Sequence, residues 1–129
     1  ILKKLSPNTT LICFEINDAF YEELIKIKHP QLIVLKASAE NIKQEVIKLG
    51  FDKADYIVSS LPLTIIPKEI SHAILTENFS FLKQSGIFIQ YQYSLTYYKK
   101  LKEVFGNNIV LNFEPFNFPP AFIYKCVKN

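Results

Sequence analysis

Ala54-Asp55-Tyr56-Ile57-Val58-Ser59-Ser60-Leu61-Pro62-Leu63 is the stretch on which the fold turns. Ile57 and Val58 are β-branched and supply the middle of a buried strand, while Ser59 and Ser60 bring small polar side chains to its rim. Pro62 has a fixed φ and no N–H, so a sheet ladder cannot continue through it. Read alone, this is a core strand ending in an ordinary proline turn. Its neighbours give it further meaning, because open α/β sheets place their chemistry just beyond the carboxyl ends of such strands.

On the amino-terminal side, Leu11–Ile16 is a nearly continuous apolar run of strand length, the pattern of a strand covered on both faces. Asn17 or Asp18 can cap a helix running to about Lys28, with Phe20, Leu24 and Ile27 on one face and Pro30 ending it. A second strand, Leu32–Lys36, leads into Ala37-Ser38-Ala39-Glu40. The helix after it buries Ile42, Val46 and Leu49 and closes at Gly50 in the left-handed conformation.

On the carboxyl-terminal side a helix is predicted from about Pro67 to Leu82, with Pro67 in the first turn and Ile70, Ile74 and Phe81 or Leu82 on the apolar face. Gly86 marks the turn into a strand over Ile87–Tyr93. Ser94 can cap a helix to Phe105, with Leu95, Tyr98, Leu101 and Phe105 inward and Lys99, Lys100 and Lys102 outward. Gly106-Asn107-Asn108 is a turn signal. Two apolar stretches follow, Ile109–Phe113 and Ala121–Val127, separated by a segment containing Pro119-Pro120 and no helical pattern. Together these elements predict an α/β fold: a doubly wound, mostly parallel sheet with a C-terminal antiparallel hairpin.

At 129 residues the chain makes a single domain whose core buries roughly two-thirds of the unfolded surface. Its net charge of +3, from 15 basic and 12 acidic residues, is compatible with an anionic surface as partner but too weak to indicate nucleic-acid binding, which usually shows a denser basic patch. Cys13 and Cys126 lie far apart with no metal-ligand spacing, so both read as reduced core residues and no metal is expected. No apolar run reaches the roughly eighteen residues of a spanning helix, and Ile1–Leu5 is too short for a signal peptide. A cytoplasmic protein is expected, with peripheral contact at the inner membrane face left open. Ile1–Leu5 reads as a helix end, with Lys3 and Lys4 favouring its carboxyl terminus and Pro7 stopping it.

Three loops fall at the carboxyl ends of successive parallel strands: after Glu15, at Ser38-Ala39-Glu40, and at Ser59 to Leu63. In a doubly wound sheet such ends converge on one crevice. A carboxylate at a strand end suits ribose hydroxyls, which makes Glu15 a candidate, although a surface or capping role explains it too. Glu40 could equally sit in a first helical turn and complement the dipole there.

With those loops in order, the chain resembles the class I S-adenosylmethionine-dependent methyltransferases, and among them the bacterial phospholipid N-methyltransferase group related to the rRNA adenine dimethylases. The residues carrying the likeness are Phe14-Glu15-Ile16-Asn17, Ala37-Ser38-Ala39-Glu40, Ala54 to Pro62, Ile89-Gln90-Tyr91-Gln92-Tyr93 and Pro119-Pro120-Ala121-Phe122. The resemblance implies a Rossmann-like methyltransferase fold, S-adenosylmethionine as cofactor, and a small-molecule or lipid amine as substrate. It assigns Glu15 to the cofactor ribose and Ser38, Ala39 and Glu40 to the adenine edge, with Ile16 and Ser59 also on the cofactor side. Ser59, with Ser60, Leu61 and Pro62, would form the methyl-transfer site, and Leu63, Tyr91, Tyr93, Pro119 and Pro120 the substrate side.

Members of this class also carry a glycine-rich loop after a first strand, and none of Gly50, Gly86 and Gly106 lies in such a loop. Either the first strand and loop lie upstream of Ile1, which the helix-end reading of Ile1–Leu5 favours, or the chain is a degenerate relative of the class; by itself it is expected to bind S-adenosylmethionine weakly or not at all and to be inactive. Micromolar affinity measured by calorimetry on the chain alone would overturn that expectation. The adenine dimethylases begin their catalytic loop with an amide or carboxylate, whereas here Ser59 or Ser60 stands in that place. That difference points away from a nucleobase and toward an aliphatic amine, with phosphatidylethanolamine first; methylation of rRNA adenine or another nucleic-acid base, and a non-catalytic methyltransferase-fold module that binds a partner, are the alternatives. The aromatics Tyr91, Tyr93, Tyr97, Phe116, Phe118 and Phe122 line either an apolar entrance or the core, and Lys99, Lys100 and Lys102 could face anionic lipid.

Overall fold

The computed structural model describes residues 1–129. Strands and helices alternate as β1 (Leu11–Phe14), α1 (Asp18–Leu24), β2 (Leu32–Leu35), α2 (Ile42–Lys48), β3 (Ala54–Ser59), α3 (Lys68–Phe81), β4 (Leu82–Gln92), α4 (Tyr98–Phe105), β5 (Ile109–Glu114) and β6 (Ala121–Val127). Short 3₁₀ turns occupy Leu2–Lys4 and Ala39–Asn41. The quoted stretch forms its strand and stops at Ser59, three residues ahead of the proline that blocks the ladder.

The parallel strands fall in two sheets rather than one. β1 and β2 pair in parallel, β3 and β4 pair in parallel, and β4 continues through antiparallel β6 to β5, giving the order β3-β4-β6-β5. No strand joins β1 to β3, so the near edges of the two sheets carry backbone groups without ladder partners. The Ala39–Asn41 turn and α2 pack against α3 and tie the small sheet to the large one.

Burial is unequal between these parts. Among the first 53 residues only Val46 is buried. Ten of the other buried residues form one cluster, in which Ile57, Leu82, Phe88 and Tyr124 come from the large sheet and Leu75, Leu101 and Phe105 from its helices. Phe105 stacks on Phe88 at 5.3 Å and receives Phe79 edge-on at 5.2 Å, arrangements that aromatic quadrupoles favour. Cys126 lies in this cluster, and burial pushes its thiol pKa up to about 12. Cys13 is only half-buried, and burial raises its pKa as well.

Local chemistry explains several boundaries. Asn17 caps α1 by accepting the Phe20 N–H at 3.1 Å. Gly50 closes α2 with φ 90°, as its place after the helix requires. α3 passes straight into β4 with Leu82 already extended, and Lys128 Nζ donates to the carbonyls of Phe79 (2.7 Å), Ser80 (3.3 Å) and Leu82 (2.9 Å). Those carbonyls end the helix, where no intrahelical donor reaches them.

The structure departs from the sequence expectations in places with a physical cause. Helix α1 ends at Leu24 instead of about Lys28, and Phe20 and Ile27 are exposed because nothing packs over that face. Strand β1 ends at Phe14 and its residues are half-buried rather than covered on both faces. Strand β4 begins at Leu82, so Gly86 lies inside it and not at a turn. A Cβ at Gly86 would stand 2.8 Å from the Lys83 carbonyl, which reserves the position for glycine. Helix α4 starts at Tyr98, not at a Ser94 cap, since the Ser94 and Thr96 hydroxyls bond each other in the preceding turn and Leu95 faces solvent.

Candidate active site

The loop after β3 is built around one carbonyl. Ser59 ends the strand almost buried, and its Oγ accepts the Leu61 N–H at 3.3 Å. The Leu61 carbonyl accepts Gln90 Nε2 and Gln92 Nε2, each at 3.0 Å, and the Leu63 N–H at 2.8 Å across a three-residue turn. Register places Gln90 beside Ser59 on the neighbouring strand. Gln90 is fully buried, and Nε2 also reaches the Tyr91 carbonyl at 3.0 Å. Both neighbours of that amide are acceptors, so its nitrogen faces them and Oε1 is left without a donor.

The sequence motif contained Gln90 and Gln92 but suggested no role for them. Their signal was a period-2 one. On the buried face of β4, where Phe88 also sits, two glutamines at i and i+2 demand polar partners.

The remaining expected positions divide clearly. Ser60 and Pro62 are exposed beside the buried Ser59, and Leu61 is half-buried. Leu63 turns inward, 1% exposed within the core cluster, so its side chain supports the loop and is not available to line a substrate site. Tyr97 is likewise a core residue, its hydroxyl bonded to Ser71 Oγ, and not part of an entrance. Tyr91 is half-buried and meets the exposed Tyr93 edge-on at 5.2 Å. Pro119 and Pro120 are exposed in the β5–β6 turn, and the Phe118–Pro119 peptide is cis.

On the small sheet, Glu15 follows β1 and its backbone N–H extends the ladder to the Leu35 carbonyl at 3.1 Å. One carboxylate oxygen accepts the Asn17 N–H at 2.7 Å. Its other oxygen has no protein partner. Ile16 beside it is exposed. Ser38 caps the Ala39–Asn41 turn by accepting the Glu40 N–H at 3.3 Å, and its hydroxyl donates to Glu40 Oε2 at 3.1 Å. No group of three or more His, Cys, Asp or Glu side chains converges as a metal site. A shallow hollow of about 150 Å³ lies between Asp55, Lys83 and Gly86 at the opposite end of β3, away from these loops.

No family model matches the chain. Solved structures share its fold. A protein assigned as an rRNA methylase from Clostridium thermocellum superimposes with a TM-score of 0.67 at 15% identity, covering 99% of this chain and 78% of that one. Magnesium protoporphyrin IX methyltransferase from Synechocystis, solved with S-adenosylmethionine, gives 0.66 at 11% identity over 93% of this chain and 60% of its own. The fold is therefore that of the class I S-adenosylmethionine-dependent methyltransferases. Ornithine lipid N-methyltransferase of Singulisphaera acidiphila is 30% identical over 129 residues, 98% of this chain and 67% of that protein. The chain belongs to the phospholipid-type N-methyltransferases of this S-adenosylmethionine-dependent class. The acceptors present would suit such a cofactor: the second Glu15 oxygen can accept from a hydroxyl, and carboxylate acceptors make short, strong bonds.

Proposed function

We propose that the protein transfers a methyl group to the primary amine of a membrane lipid, with phosphatidylethanolamine as the first substrate to test. The observation that carries this reading is the likeness to ornithine lipid N-methyltransferase along nearly the whole chain. Both lipids present an aliphatic amine. The Ser59–Pro62 loop agrees with it, since it offers hydroxyl and carbonyl oxygen where recognition of a nucleobase amine would call for an amide or carboxylate.

Glu15 and Ile16 would hold the cofactor ribose, and Ser38, Ala39 and Glu40 the adenine edge. Bound there, the cofactor supplies an electrophilic methyl group. Ser59, Ser60, Leu61 and Pro62 would orient the attacking nitrogen, and Tyr91, Tyr93, Pro119 and Pro120 would border the substrate. Gln90 and Gln92 act one step removed by fixing the Leu61 carbonyl, hence the path of the loop. Such a site contributes mainly by proximity and orientation, because an unprotonated amine needs little further acid–base help.

The test is mass spectrometry of lipids from cells expressing the protein, with isotope-labelled methionine as methyl source. Label in phosphatidylethanolamine or an amino-acid-headgroup lipid is the expected result. Unchanged lipids together with newly methylated rRNA adenine would refute the reading.

A further inference from the structure

We propose that the tip of the β5–β6 hairpin is a membrane-docking wedge that seats the protein on an anionic bilayer with its transfer loop facing the lipid headgroups. The proposal rests on the lipid-amine reading for its biological purpose but not for its measurement.

The tip carries Phe116 and Phe118, 95% and 100% exposed, two residues apart. Large apolar side chains are tolerated singly on surfaces, but paired rings projecting from a turn lose all the burial that normally stabilises them. The turn is nevertheless well fastened. Asn117, between the two rings, donates from Nδ2 to the Tyr91 hydroxyl and to the Pro119 carbonyl, and Glu114 Oε1 accepts the Phe116 N–H at 3.2 Å. At the base of the turn Phe113 leans on Phe122 at 5.1 Å. The rings are thus presented by a fixed loop.

Position favours a bilayer over a protein groove. Strand β6 runs antiparallel to β4 with Gln92 opposite Phe122, so the tip lies beyond the carboxyl end of β4, the end from which the Ser59–Pro62 loop also projects. Ile65, 82% exposed, and Tyr93 lie at that end too. So do Lys68 and Lys99, in the first turns of α3 and α4, both exposed and without an ion-pair partner. Glu114, the acidic residue flanking the tip, is turned onto the backbone. Exposed rings flanked by these two unpaired lysines, with Glu69 the one acidic side chain in the same first turn of α3, suit the boundary between headgroups and acyl chains of an anionic membrane.

The experiment is sedimentation with vesicles of phosphatidylcholine and phosphatidylglycerol, which contain no primary amine and so report docking apart from catalysis. The protein should bind them. Phe116→Ser with Phe118→Ser should weaken partitioning about a hundredfold, roughly tenfold per ring, and Lys99→Glu should do so several-fold, all with unchanged circular dichroism. The chain has no tryptophan, so Phe118→Trp provides a single reporter whose emission should shift to the blue on vesicle addition. Equal binding by the protein and its double variant, or no binding by either, would overturn the proposal. Self-association abolished by the double variant, with no vesicle binding, would instead assign the tip to a second copy. Vesicle binding through the tip without any lipid methylation would leave docking standing and remove the substrate reading.

Discussion

Replacing Gln90 by leucine tests how the transfer loop is held. The side chains are of similar volume, so the change deletes polar atoms from a fully buried site without opening a cavity. Two donated bonds are lost, to the Leu61 and Tyr91 carbonyls, each worth about 1 kcal/mol net. The stranded Oε1 also disappears, and relieving a buried unpaired acceptor returns about 1–3 kcal/mol. The terms nearly cancel, so Gln90→Leu should change unfolding free energy by no more than about 1 kcal/mol. Gln92→Leu removes a bond to the same carbonyl with no such relief and should cost about 1 kcal/mol. In the double variant the Leu61 carbonyl keeps only the bent bond from Leu63 N–H. The loss should therefore exceed the sum of the singles by about 1 kcal/mol. Urea denaturation of the four proteins gives this coupling directly. A coupling of zero, or a loss above about 3 kcal/mol from Gln90→Leu alone, would show that the two glutamines do not share the carbonyl as described.

Lys128→Met should destabilise by roughly 1.5–3 kcal/mol, the worth of a charge-assisted bond at a helix end, and thermal unfolding of the variant reads it; a neutral result would contradict the role given to that ammonium. The Cys126 thiol, raised from 9.0 to about 12 by burial, binds its proton more tightly folded than unfolded. Its contribution is therefore complete below pH 9 and lost as pH climbs toward 12. Cys126→Ala should flatten the alkaline limb of a stability–pH curve, and an unchanged slope would exclude the thiol as its source. Glu15→Ala should weaken whatever binding of S-adenosylhomocysteine the protein shows by about 10–100-fold, from one lost charge-assisted contact, at a stability cost of no more than about 1 kcal/mol for the lost Asn17 N–H bond; calorimetry distinguishes this from a purely capping carboxylate.

Much of this architecture was legible because punctuation and periodicity agreed. Pro67 preceded α3, Gly50 closed α2 at φ 90°, and the stretch between Gly106 and Val127 made its hairpin. What was not legible depends on what lies opposite a side chain. Apolar spacing marked Phe20 and Ile27 as one face of a helix, but nothing in the chain covers that face. Leu63 follows a proline in a loop, where sequence offers no period to say that it points inward. For Gln90 and Gln92, two polar residues on a buried strand face announced a constraint without naming the carbonyl that satisfies it. The division into two sheets depends on pairing between distant segments, which local pattern does not encode.

That division has a thermodynamic consequence. Glu15 and the Ser38–Glu40 turn belong to a part with one buried residue in 53, whereas Ser59 to Pro62 are anchored to the main core. A part with so little burial opens at a free energy well below that of global unfolding. Association with a ligand spanning both parts is then coupled to ordering of the first, and apparent affinity falls by the fraction of time that part is closed. Anything that clamps the small sheet would tighten cofactor binding without touching a cofactor contact.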